Sequence, residues 1–312
     1  MADKISCREA FTKTLLDLAE NNQDIIAVTS DARGSCSLGA FADALPDQFV
    51  EVGIAEQNEI GIAAGLASVG KRPYVCAPAC FLSARSLEQI KVDVAYSRQN
   101  VKIFGVSGGV SYGALGASHH SLHDIAVFRS IPDISVILPC DASQTKAMLL
   151  ALEQTDAPAY IRAGRGGVPA VYDGDAPFTL GKANLLREGT DLTIIACGET
   201  VYHAQQAAAL LEQDGVSVRV LDMHTLKPLD EEAVIAAAKE TGRILTVEEH
   251  NVNGGLGASV AQIAAANHPI RVVCLAFPDE TLVSGTSEEL FAHYGLNQAG
   301  IYKAAKHLLT LQ

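Results

Sequence analysis

Short apolar runs rich in β-branched residues recur along this chain, separated by longer segments of helical period. IIAVTS (25–30), RPYVCAP (72–78), VKIFGVSG (101–108), ISVILPC (134–140) and AYIRAG (159–164) form a first series, with helix-like segments such as 83–97 and 142–154 between them. Strands that lack polar alternation must be covered above and below, so this pattern predicts a parallel sheet packed by helices on both faces. From 164 to 189 the pattern lapses into GRGGVPAVYDGDAPFTLGKANLLREG, whose glycines, prolines and aspartates read as a linker crossing the surface. A second series follows, with strands at 191–198, 216–223, 242–250 and 270–277 and helices near 200–214, 230–240, 256–267 and 286–308. The expected fold class is α/β, two doubly wound domains with mostly parallel sheets, divided as residues 1–178 and 179–312.

Composition narrows the partners. With 312 residues, 48% hydrophobic and 19% charged, the chain can bury two ordinary cores. A net charge of −13, without any Lys/Arg-rich run, argues against nucleic acid or an anionic membrane and for a small substrate. The first residues, MADKISCREAF, lack the apolar segment of a signal peptide, and no apolar run approaches the ~20 residues of a membrane span, so a cytoplasmic location is expected. Seven scattered cysteines without a C-x-x-C read as reduced core residues.

Three motifs invite chemistry. NGGLGASV (253–260) follows a strand and opens a helix, but the third glycine of a dinucleotide loop is replaced by Val260; the glycines read as allowing a helix start to pack closely on the sheet. HHSLHD (119–124) follows the glycine-rich SGGVSYGALGAS (107–118), a long loop after a strand, where open α/β sheets place ligands. His119 and His123 would share a face if this segment were helical, which leaves a metal site, a ligand-facing acid, base or hydrogen-bonding role, and a merely exposed loop as readings. VEVGIAEQNEIGIAAGLASVG (50–70) reads as a strand end followed by a helix that is apolar nearly all round, and so belongs in a core or a subunit interface. Glu56 and Glu59 lie i, i+3 in its first turn. Acids there complement the helix dipole, which leaves a structural and a functional role equally open.

These motifs, taken in order, resemble the C-terminal half of transketolase over essentially the whole chain. The segment GIAEQNEIGIAAGLASVGKRPYVCAPACFL, the loop ending GASHH, the turn LPCDASQ (138–144) and EEHNVNGGLG (248–257) carry the resemblance. It implies a thiamine diphosphate enzyme in which Glu56 hydrogen-bonds a ring nitrogen of the cofactor's aminopyrimidine, a task suited to a poorly hydrated carboxyl whose pKa can rise. Phe81 matches the aromatic that stacks on the pyrimidine, Asp31 a position near the cofactor, and His119 a histidine facing the donor sugar. Arg8 and Arg165 match positions that hold substrate phosphate, a role suited to a guanidinium. Glu59 matches no functional position and reads as a first-turn or interface residue.

Departures from the family bear on substrate and assembly. Ala84 and Leu87 stand where further aromatics are expected, Leu115 where an aspartate reads a sugar hydroxyl, and Ser107 where a histidine faces phosphate, so an unusual ketose is expected. The family's Gly-Asp-Gly motif, followed by Asn, holds Mg²⁺ or Ca²⁺ and the diphosphate; YDGDAP (172–177) is Asp-Gly-Asp in a linker. The metal is therefore expected on an N-terminal partner subunit, with thiamine diphosphate shared between the two chains, self-association into a dimer, an α2β2 assembly, and no metal ligands in this chain. Ketol transfer from a ketose to an aldose is the expected reaction. A 2-oxo acid dehydrogenase β subunit, a 1-deoxyxylulose-5-phosphate synthase half and a non-catalytic scaffold are the alternatives.

Overall fold

The computed structural model describes residues 4–311 and forms two sheets sandwiched by helices. The strands are β1 (Ile25–Thr29), β2 (Phe49–Glu51), β3 (Arg72–Pro78), β4 (Lys102–Val106), β5 (Ser135–Ile137), β6 (Ala159–Ala163), β7 (Asn184–Arg187), β8 (Leu192–Ala196), β9 (Val218–Asp222), β10 (Thr225–Lys227), β11 (Arg243–Asn251) and β12 (Arg271–Phe277). The first sheet runs β10-β5-β6-β4-β3-β1-β2, parallel except where β10 meets β5. The second runs β12-β11-β8-β9-β7, parallel except at β7. β1, β4, β6 and β8 are buried at every position, as strands covered on both faces must be.

The two mostly parallel α/β layers agree with the sequence pattern, and the differences have local causes. The segment 83–97 is not one helix: it divides into Ala79–Arg85, Leu87–Gln89 and a π-helical turn Ile90–Tyr96, with the Ser86 hydroxyl donating back to the Leu82 carbonyl at the break. The segment 286–308 is two helices, because Gly295 adopts φ +77 and the Asn297 side chain caps a new start. Neither β7 nor β10 is legible in the sequence, each being too short to show a period.

A buried charge cluster joins the two layers. Arg162 on β6 donates to the Glu249 carbonyl at 2.8 Å and lies 3.3 Å from its carboxylate and 3.4 Å from Asp124. Tyr160 donates to Asp124 at 2.6 Å, and the Val110 amide to Glu249 at 2.8 Å. Gly109, at φ +59, leaves no room for a side chain: a Cβ would lie 2.1 Å from the Glu249 carboxyl carbon. Replacing Arg162 by leucine leaves Asp124 and Glu249 buried without their cation. We expect a loss of about 3 to 5 kcal/mol in urea unfolding; a change under about 1 kcal/mol would mean the cluster is structurally idle.

Candidate active site

The loops at the carboxyl ends of the parallel strands build one cavity of about 320 Å³. Parallel strands present their last carbonyls and the following helix starts on the same edge, which is where open α/β sheets bind ligands. Asp31 follows β1 with φ +54, its amide donating to Glu51 Oε1 at 2.7 Å. Glu56 begins the helix Glu56–Ser68 after β2, Phe81 lies in the helix Ala79–Arg85 after β3, and His119 closes the 3-10 turn Gly113–Ser118 after β4. All four line the cavity.

Arg8 and Arg165 reach its rim through two residues that the sequence did not single out. A capping box, Ser6 with Glu9, starts the helix Cys7–Ala19 and sets Arg8 in its first turn, where Nη1 donates to the Ser35 carbonyl at 2.8 Å. Arg165, on the loop after β6, lies over the Tyr112 ring at 4.9 Å. Ser35 and Tyr112 both line the cavity and join through their hydroxyls at 3.2 Å. His119 stands edge-on to both Phe81 and Tyr112, at 5.4 and 5.6 Å between ring centroids, and its Nδ1 lies 2.9 Å from the Ser118 hydroxyl. Leu115 lines the cavity and is 55% exposed, whereas Ser107, Ala84 and Leu87 stay outside its wall. Ser107 is instead a buried residue at φ +58.

The three histidines do not converge. His120 is buried with Nε2 3.1 Å from the Gly113 carbonyl, and His123 Nε2 lies 3.1 Å from the Ser83 hydroxyl. Among the described residues no group of three His, Cys, Asp or Glu side chains could hold a metal ion. The glycines of NGGLG perform the packing role expected of them: Gly255 and Gly257 lie against Glu248 and Cys274, and Glu248 caps the helix Leu256–Asn267 through the amides of Leu256 and Gly257.

The two acids of the first turn separate differently from expectation. Glu56 is nearly buried yet has a cation, with Arg85 Nη1 2.6 Å from Oε1. Glu59 is fully buried, and neither carboxylate oxygen has a hydrogen-bond partner at good geometry. Burial pushes its carboxyl up to about 8, offset only in part by the Ser30 hydroxyl and the Cys76 backbone, and raised further by Glu56. The poorly hydrated, proton-holding acid is thus Glu59, and its place inside the chain excludes a subunit-interface role. Arg85 is legible in the sequence only as the single cation ending an otherwise uncharged helix, four residues after Phe81.

Two family models divide this chain between them. "Transketolase, pyrimidine binding domain" matches residues 3–170 and "Transketolase, C-terminal domain" matches residues 181–301. The chain belongs to the transketolase family. Its relatives include one of the subunits of the apulose-4-phosphate transketolase of Phocaeicola vulgatus, 60% identical over 302 residues, covering 96% of each chain. "6-deoxy-6-sulfo-D-fructose transketolase subunit SqwH" of a Clostridium species is 37% identical over 298 residues, covering 96% of this chain and 92% of that one. Among solved structures, "Split gene transketolase, inactive beta4 tetramer" superposes with a TM-score of 0.91 at 38% identity, covering 98% of this chain and 99% of the other. Membership makes the chain part of a transferase.

Glu59 yields a pH prediction. A carboxyl whose folded pKa is raised costs stability once the pH passes its unfolded value, and the cost grows until the pH reaches the folded value. For Glu59 that window runs from 4.5 to about 8. We expect Glu59→Gln to raise unfolding free energy at pH 8 by on the order of 4 kcal/mol, with the gain vanishing toward pH 4.5. Urea titrations at the two pH values check this; equal effects at both would mean that folding leaves the Glu59 carboxyl unshifted.

Proposed function

We propose that this chain is the C-terminal subunit of a two-chain, thiamine diphosphate-dependent transketolase that moves a two-carbon ketol unit from a phosphorylated ketose to an aldose. What carries the reading is the convergence of Glu56, Phe81, Asp31 and His119 on one cavity, with Arg8 and Arg165 at its rim. Residues 1–178 would supply the pyrimidine half of the site and 179–312 the C-terminal half. Bound thiamine diphosphate supplies the electron sink for making and breaking the ketose carbon–carbon bond.

The residues present fit that group. Phe81 offers an aromatic face with a nearly buried carboxylate, Glu56, beside it, and a planar nitrogen-rich group, the Arg85 guanidinium, already satisfies both. In this reading Phe81 holds the pyrimidine by stacking and the Glu56 carboxyl donates a hydrogen bond to its ring nitrogen, moving a proton there. His119, oriented by Phe81 and Tyr112, hydrogen-bonds the sugar's oxygen atoms, and Arg8 and Arg165 take the phosphate. The diphosphate and its divalent metal are assigned to the N-terminal partner, in an α2β2 assembly built partly on the solvent-facing residues that flank the helix Glu56–Ser68, Ile54 and Val69. No helix among the described residues is long and apolar enough to cross a membrane, and we assign the enzyme to the cytoplasm.

Leu115 and kinship support a choice of donor. An apolar side chain at the mouth disfavours a site built to read a hydroxyl there, and the 60% identical relative carries apulose 4-phosphate in its name. We assign that ketose, ahead of 6-deoxy-6-sulfofructose, as donor. Co-expression with the neighbouring-gene subunit should give ketol transfer that neither chain supports alone. Glu56→Gln should lower kcat at least about 100-fold, while Arg8→Ala should mainly raise KM for the phosphorylated ketose. Activity of this chain alone would refute the division of the site, and full activity of Glu56→Gln would refute its role.

A further inference from the structure

Arg85 has no part in the assignment above, yet it touches both groups given to the pyrimidine. It follows Phe81 by one helical turn, so the two side chains share a face of the helix Ala79–Arg85, and the guanidinium carbon lies 4.0 Å from the Phe81 ring centroid. Nη1 donates to Glu56 Oε1 at 2.6 Å. The Arg85 backbone carbonyl accepts from Gln57 Nε2 at 3.0 Å, which ties this helix end to the first turn of the helix Glu56–Ser68. The Arg85 side chain is 48% exposed while that of Glu56 is 7% exposed, so the guanidinium covers the acid from the solvent side.

A guanidinium is flat and presents an N–C–N edge of donors, and it stacks on aromatic faces while pairing with carboxylates. A 4-aminopyrimidine is also flat, stacks on aromatic faces and meets a carboxyl through a ring nitrogen. Two such groups cannot occupy the same position against one acid and one aromatic face. We propose that Arg85 is a placeholder for the cofactor's aminopyrimidine: its side chain fills the Phe81–Glu56 seat while the ring is absent and swings into solvent as the ring enters. The proposal rests on the seat assigned above to Glu56 and Phe81, and adds that cofactor binding is an exchange of one planar nitrogen group for another. The exchange keeps the Phe81 face covered and Glu56 partnered before assembly. Because the ion pair is half exposed and the cation–π contact modest, displacing them should cost the cofactor about tenfold in affinity.

The test is calorimetry on the co-expressed complex, titrated with thiamine diphosphate in the presence of Mg²⁺. Arg85→Ala and Arg85→Gln should bind about tenfold more tightly than the native complex, and millimolar methylguanidinium should return Arg85→Ala to native affinity by refilling the seat. Melting curves of both variants verify the fold. Weaker or unchanged binding in the two Arg85 variants, with Glu56→Gln and Phe81→Ala both weakened, would leave the seat standing and overturn the placeholder. Unchanged affinity in Glu56→Gln and Phe81→Ala would remove the seat, and the placeholder with it.

Discussion

The guanidinium of Arg162 is the fixed point of this structure. It projects from the middle strands of the first sheet into a buried region holding Asp124 from that layer and Glu249 from the second. A charge so placed is tolerable only with close partners, so the cluster fixes how the two layers meet. Its influence reaches the cavity through the loop after β4. The Val110 amide donates to Glu249, Ser287 donates to the Val110 carbonyl, and the Gly285 amide to the Gly113 carbonyl. That loop carries Tyr112, Leu115 and His119. The second layer therefore acts on the site without lining it: it holds the wall from behind.

A second constraint operates within one helical turn. Glu56 and Glu59 are three residues apart, so the same helix start presents one carboxylate to the cavity and the other to the core beneath. Burial raises Glu59, and the negative charge of Glu56 raises it further. A neutral Glu59 leaves the core side of this turn uncharged, while Glu56 faces Arg85 and, in the proposed function, the cofactor ring.

The architecture and the cavity's main residues were legible because their signals are local or ordered. Strands buried on both faces leave continuous apolar runs, and a parallel sheet sends all its following loops to one edge, so the loops carrying Asp31, Glu56, Phe81 and His119 meet there; the choice of these residues within the loops rests on the resemblance to transketolase. The residues missed act through space. Tyr112 lies in a glycine-rich loop whose conformation the sequence does not specify, and Ser35 matters for the hydroxyl and carbonyl it turns toward Tyr112 and Arg8. Arg85 looks like the charged end of a short helix. Glu59 escapes the sequence because the dipole rule describes exposed first turns; the apolar run places the helix in a core or an interface but not which of its two acids is sealed, here by Ser30 and the strand carrying Cys76.

The cavity is open on the side where Ile54 and Leu115 face solvent, 77% and 55% exposed. Hydrogen bonds and charges at a reacting centre gain their strength from the exclusion of water, which a half-walled pocket does not provide. Exposed aliphatic side chains at such a mouth have their physical use when another surface covers them. The same contact that would bury Ile54 and Leu115 would lower the dielectric around Glu56 and His119 and strengthen every interaction they make. Under the proposed function assembly and chemistry are then not separate requirements: a partner seated on this mouth would also dry the wall that this chain builds.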